Sequence, residues 1–270
     1  MIRFRTERRA AALLAACLLM PALAPAAEPA APVAAVRDQW AQAAYVTPKA
    51  QRSAALVALA GRSEALVAAR PRDPDALIWD GIVRSSLAGE RGGLGALSLV
   101  KQAKRDFEAA IALDDTALGG AAHTSLGALY YQVPGWPVGF GDDAKAREHL
   151  QRALAIDATD IDANYFYGDF LRDQGDWSGA AAAFEKAIAA PARAGREVAD
   201  RGRRAAELDS RTCCDIGAGG DHPDLLRHPD GLFLPLRLDA DAQAHHHQPA
   251  ELRRRDGDRA RYPGRGRRRV

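Results

Sequence analysis

Apolar residues recur at helical spacing from residue 33 onward. Val33, Val36, Trp40 and Ala44 fall at i, i+3, i+7 and i+11, which predicts an amphipathic helix over 33–45. The stretch 28–32 before it, with two prolines, reads as a linker. Thr47 and Pro48 predict the next helix start, Thr47 as N-cap and Pro48 at the first helical position. Leu56, Leu59, Ala60, Ser63, Leu66 and Val67 then share one stripe, which Pro71 and Pro74 end because proline cannot continue a helix. No stretch shows sustained period-2 alternation of β-branched residues. The pattern therefore predicts an all-α fold.

From residue 74 the landmarks repeat. Gly168 is followed by Ala180, Phe184 and Ala187; Gly127 is followed by Ala146, Leu150 and Ala153; Gly81 is followed by Ala103, Phe107 and Ala110. The spacing is the same in each set once seven extra residues are allowed in the second and ten in the third. Small residues are expected where two helices of a hairpin cross closely, and large ones where the hairpin meets the next. One such hairpin cannot bury its own apolar face, so about three or more must stack. The stretch 195–208, with Val198, Ala199, Ala205 and Leu208 directed inward and charges outward, is the expected capping helix.

These landmarks match a known signature. Asn164, Tyr167, Gly168, Leu171, Ala180, Phe184 and Ala187, with Pro191 one residue early, follow the W-x2-L-G-x2-Y…A-x3-F…P pattern, although its Trp and Tyr positions are replaced. Leu126, Gly127, Tyr130, Ala146, Leu150 and Ala153 follow it again, with Ala158 in place of the proline. Residues 50–208 thus resemble the tetratricopeptide repeat family. The resemblance implies antiparallel helical hairpins stacked as a short solenoid, with units near 74–115, 120–158 and 161–192. An unrelated helical bundle with the same Ala and Leu spacings is the competing reading. The insertion after the first helix of the 120–158 unit carries Val133, Pro134, Gly135, Trp136 and Pro137, and a Gly141-Asp142-Asp143 helix start follows it. In this it is similar to exported bacterial repeat proteins, among them the T-component of periplasmic solute uptake systems of the TRAP type.

Composition changes this picture at the two ends. The chain of 270 residues carries a formal charge of +2, but residues 28–207 hold 21 basic and 24 acidic side chains. A mildly acidic array lacks the basic face that nucleic-acid binding needs. At the N-terminus, Arg3, Arg5, Arg8 and Arg9 precede an apolar run from residue 10 to 23, then Ala24, Pro25 and Ala26. A basic start, a short apolar run and an A-x-A-like site predict a secretory signal peptide over 1–27, hence a periplasmic or secreted protein. A buried N-terminal helix is the alternative. Leu14-Ala15-Ala16-Cys17 also resembles a lipobox, with Cys17 as the acylated residue of a membrane-anchored form, although the apolar run continues past it. Residues 28–207 contain no cysteine.

In arrays of this family the first helices of the hairpins line a concave surface that binds partners. The groove positions here hold Thr124, Ala128 and Tyr131 in one unit and Tyr165, Asp169 and Arg172 in the next. Tyr and Arg are common interface anchors, while Tyr130, Tyr165 and Phe166 can equally pack between hairpins. The insertion adds Trp136 and Phe140, which are costly to expose. They are expected to fold back over the array, with docking into a partner as the alternative. Asp142 reads as the N-cap, and Asp143 as a first-turn acid, of the helix after it. No G-K-[ST], H-E-x-x-H or G-x-S-x-G occurs, and neither metal nor cofactor is expected. His123 is expected to be packed at the family's Trp position and His149 to be solvated. The expectation is a non-catalytic module that binds a protein or peptide of the cell envelope. The alternative is an accessory of a periplasmic uptake system, docking its binding protein or holding a small apolar ligand in a cavity beneath the Trp136 loop.

After Leu208 the character changes. Cys213, Cys214, the His245–247 run, five prolines and 12 arginines without a lysine appear, and helical periodicity ends. Standard zinc spacing is absent. The segment 209–270 is expected to be disordered or an out-of-frame translation of GC-rich DNA, with a metal- or polyanion-binding tail as the alternative.

Overall fold

The structure is a computed structural model that describes residues 31–217. The signal and lipobox readings of residues 1–27, and the tail readings from residue 218 onward, lie outside the described residues. Among the described residues there are helices and no strands. They are α1 (Ala31–Tyr45), α2 (Lys49–Ala69), α3 (Pro74–Arg91), α4 (Gly93–Leu113), α5 (Ala117–Gln132), α6 (Asp143–Ile156), α7 (Ile161–Asp173), α8 (Trp177–Ala189) and α9 (Glu197–Gly217). None of them is long and apolar enough to cross a membrane.

Local chemistry sets most of the starts. Asp73, Asp142, Asp160 and Asp176 each accept a hydrogen bond from a backbone N–H of the first turn of α3, α6, α7 and α8. Thr47 departs from expectation. Its Oγ1 donates to the Gln42 carbonyl, 3.0 Å away, and closes α1, while α2 begins at Lys49 after Pro48. The third set of landmarks spends its ten extra residues around the glycine-rich stretch 89–95, which spans the junction of α3 and α4. They lengthen the two helices, to 18 residues in α3 and 21 in α4 against 13 each in α7 and α8.

Consecutive helices pair into antiparallel hairpins, α1–α2, α3–α4, α5–α6 and α7–α8, and each second helix packs on the first helix of the next hairpin. The repeated landmarks meet within these hairpins, so the large residues expected where one hairpin meets the next instead lie against the glycine of their own, where the missing side chain leaves room for them. A β-carbon at Gly81 would lie 2.5 Å from the Phe107 ring, one at Gly127 2.7 Å from Leu150, and one at Gly168 2.9 Å from Phe184. Phe107, Leu150 and Phe184 are fully buried, as are the alanines that flank them. Small-against-large packing therefore holds each hairpin at close range, as it does in densely packed interiors generally.

The first helices form an inner row. α1 packs on α3, α3 on α5, α5 on α7, α7 on α9, and α9 returns to α1. The solenoid thus curls until its ends meet, and five inner helices make a ring with α2, α4, α6 and α8 outside it. At the closure, a side chain at Gly202 of α9 would collide with the Tyr45 ring of α1, so that glycine admits the contact.

α9 departs from the sequence reading twice. It continues nine residues past Leu208, and its inner face is polar. Ala199, Asp200, Arg203 and Ser210 are buried, Val198 is half-buried, and Ala205 and Leu208 are exposed. The reason is what α9 packs against. Its seat offers Tyr165, Phe166 and Asp162, which suit a guanidinium better than an aliphatic chain.

The hairpin packing gives a direct test. Gly81→Ala is expected to cost about 1–3 kcal/mol, because Phe107 must move. Gly61→Ala, at an exposed position inside α2 with nothing near, is expected to gain about 1 kcal/mol. Urea denaturation of both variants against the parent checks the pair. Equal effects at the two sites would refute the packing argument.

Candidate functional site

The ring encloses a cavity of about 260 Å³. Val33 and Trp40 of α1, Trp79 and Ile82 of α3, Thr124 and Ser125 of α5, and Phe166 of α7 supply much of its wall. The charged part comes from Asp160 and Asp162 at the start of α7 and from Arg193, Arg196 and Arg203 in and before α9; Arg37 of α1 completes it. Leu118 also lines it and is 41% exposed, so the cavity meets solvent there. Leu118 has φ 49° and ψ 38°, and Gly119 and Gly120 follow in the same left-handed region. For a leucine this conformation costs on the order of 1–3 kcal/mol. It turns the chain sharply into α5 and sets the Leu118 side chain at the rim.

Asp162 is the hub of the charged part. Arg193 Nη1 lies 2.9 Å from its Oδ2, Arg196 Nη2 3.3 Å from the same oxygen, and Arg203 Nε 3.0 Å from its Oδ1. Burial works to raise the Asp162 pKa, but the three guanidiniums outweigh it and hold the carboxyl well below the usual range. Arg193 also binds Asp160 at 3.0 Å and Asp200 at 2.6 Å. Burial and repulsion from Asp162 raise the Asp160 pKa. Arg203 is 1% exposed, and its guanidinium carbon lies 4.3 Å from the Tyr165 ring centre and 5.0 Å from that of Phe166. Arg196 stands 5.7 Å from the Trp79 ring centre, and its Nε is buried with no hydrogen-bond partner among the described residues.

The residues expected to line a partner groove are placed unevenly. Thr124 lines the cavity and is buried, with Oγ1 facing the Gly120 carbonyl. Ala128 is fully buried. Tyr131 donates its hydroxyl proton to Asp169 Oδ2 at 2.6 Å, and Arg172 pairs with the other Asp169 oxygen. Burial, then the Asp169 charge, puts the Tyr131 pKa well above its ordinary value. Tyr165 is 6% exposed beneath Arg203, and burial pushes it up to about 12. Four of the groove positions are therefore satisfied by one another or covered by α9.

The insertion divides its two aromatics. Phe140 is half-buried and meets the Tyr130 ring edge-on at 5.8 Å, with the Lys104 ammonium 5.9 Å from its centre. Trp136 is 90% exposed, so only Phe140 folds back. A depression beneath the loop, bordered by Tyr130, Pro134 and Asp143, is open, and the enclosed cavity lies elsewhere, inside the ring.

His149 is also not where the sequence suggested. Its Nδ1 lies 2.9 Å from the Nδ1 of His123, and its ring stacks on Tyr130 at 5.6 Å. The neighbour on α5 accounts for this: a His at the position where the family has Trp offers a polar partner across the hairpin. One imidazole must donate and the other accept, so the two rings cannot both be charged. Burial and the charge of His149 bring the His123 pKa down to about 4, and burial lowers that of His149. Two ligands alone make a poor metal site, and among the described residues no three His, Cys, Asp or Glu converge as one.

The sequence reading did not single out Trp79, Arg193, Arg196 or Arg203, and took Phe166 only as packing between hairpins. The available signal was charge order: two acids at the start of α7 and a run of arginines just before and within α9. No protein-family model matches the chain, and no curated protein matches it. The cavity is therefore interpreted from its own residues.

The histidine pair yields a pH dependence. His123 titrates lower in the fold than the ordinary value of 6.5. Its contribution to stability is therefore fully present above about pH 6.5 and is lost as the pH falls toward 4, where the unfolded chain binds the extra proton. Thermal melts of the parent and His123→Phe at pH 7.5 and 5 test this. The parent is expected to lose more melting temperature than the variant; parallel losses would refute it.

Proposed function

We propose that this chain is a non-catalytic binding protein of the tetratricopeptide-repeat type, and that it holds a small molecule inside its helical ring. One observation carries the reading: the inner helices enclose a cavity of about 260 Å³ whose walls are mainly aromatic and aliphatic, with charged groups at one side. A cavity of this size and lining suits a small organic molecule. The repeated Gly–Phe and Gly–Leu contacts support the family reading. The basic start, apolar run and Ala24-Pro25-Ala26 support export to the cell envelope, where an accessory of a solute uptake system is the role that fits best.

A ligand held this way stabilises the fold by RT ln(1 + [L]/Kd), about 2.7 kcal/mol at a concentration of 100 Kd. A thermal-shift screen of small metabolites against the full chain is expected to find molecules that raise the melting temperature. Ala121→Trp, which fills the cavity from α5, is expected to abolish that rise while keeping the helical circular dichroism. A screen with no stabiliser, or stabilisers indifferent to Ala121→Trp, would remove the proposal.

A second reading, protein docking, is favoured by Trp136, a large apolar ring that is 90% exposed at a loop. Trp136→Ala is expected to change stability by less than about 0.5 kcal/mol. A photo-crosslinker placed at residue 136 is expected to capture an envelope protein in cells. Absence of any specific crosslink would count against docking and leave the cavity reading untouched.

A further inference from the structure

We infer that the ligand is a small organic carboxylate, its anionic end on Arg196 and its apolar body against Trp79 and Phe166. This rests on the reading of the ring cavity as a ligand site. The charge of the wall is the first argument. Four arginines and two aspartates line the cavity, while Asp200 and Asp38, which pair with Arg193 and Arg37, lie outside its lining, so the groups a ligand meets at the wall are guanidiniums more often than carboxylates.

The second argument is which donor remains to be used. Arg193 is held by Asp160, Asp162 and Asp200. Arg203 is held by Asp162 and by two aromatic faces. Arg37 is paired with Asp38, which lies outside the cavity lining. Arg196 has one 3.3 Å bond, to Asp162, and stands beside the aromatic wall, 5.7 Å from the Trp79 ring centre. A guanidinium carries five N–H donors in a planar fork that a carboxylate matches with two parallel hydrogen bonds. A neutral amide offers only a weaker acceptor to the same charge.

The third argument is the rest of the wall. Trp40, Trp79, Ile82 and Phe166 face the same space, so a bare inorganic anion would leave most of the surface without contacts. The volume of about 260 Å³ suits a compact molecule. What remains is a compact acid with one aromatic or branched apolar group.

Three matched probes test this by isothermal titration of the full chain: 3-phenylpropionate, its neutral amide, and acetate. The acid is expected to bind, with the amide and acetate each at least about tenfold weaker. Arg196→Gln is expected to bring acid and amide to equal affinity. Because Arg196 also touches Asp162, the acid-against-amide ratio in the parent protein decides the matter should that variant fail to fold. Equal binding of amide and acid would overturn the carboxylate assignment and leave the cavity reading standing. Equal binding of acetate would overturn the role of the aromatic wall. Binding of none of the probes would overturn this inference; the cavity reading would then be judged on the thermal-shift screen and Ala121→Trp.

Discussion

Three guanidiniums share one carboxylate at Asp162, and the closed ring depends on that sharing. Arg193 and Arg196 come from the turn before α9, and Arg203 from its second turn, while Asp162 belongs to the first turn of α7. With the carboxylate in place, each arginine has a charge-assisted bond and α9 lies across the inner row. Without it, Arg193 would keep Asp160 and Asp200, but Arg196 and Arg203 would lose the acid between them in a partly buried space, a costlier arrangement than an exposed pair. The aromatic faces of Tyr165, Phe166 and Trp79 add cation–π attraction to the same three groups. A helix that reads as amphipathic by its alanines is thus held by its arginines.

Beneath that closure, the hairpins are built by a simpler rule. Each places a glycine on its first helix against a bulky side chain on its second, three times over at Gly81, Gly127 and Gly168. This fixes the spacing within hairpins, where Ala146 and Ala180 also face Gly127 and Gly168. Repetition of one geometry produces a steady curvature. Here the curvature accumulates over the described hairpins until α9 meets α1.

What was legible in the sequence follows from this division. The Gly–Ala–Phe landmarks are short-range and periodic, so the all-α hairpins and their order could be read directly. The cavity could not, because its wall joins residues far apart in the chain: Trp40, Trp79, Phe166 and Arg196 share no local pattern. Thr124 was identifiable from its place on a first helix, and it lines the cavity. Tyr131, Tyr165, Asp169 and Arg172 were identified by the same logic, but their mutual bonds and the cover of α9 are tertiary facts. His149 read as solvated because its helix is charged; only the facing His123 draws it in. Phe140 and Trp136 lie four residues apart in one loop, and composition alone does not say which of them turns inward.

The meeting of α1 and α9 has a topological consequence. An open solenoid can gain or lose a repeat at either end, since each unit answers only to its neighbours. A circle has no such freedom: its first and last helices are neighbours too, and its circumference is set. Among the described contacts, α1 with α9 also spans the greatest distance along the chain, so it is the contact whose loop entropy is largest. The enclosed space consequently belongs to no single hairpin. It comes into being only when the last helix arrives, and whatever occupies it acts as a keystone for the whole.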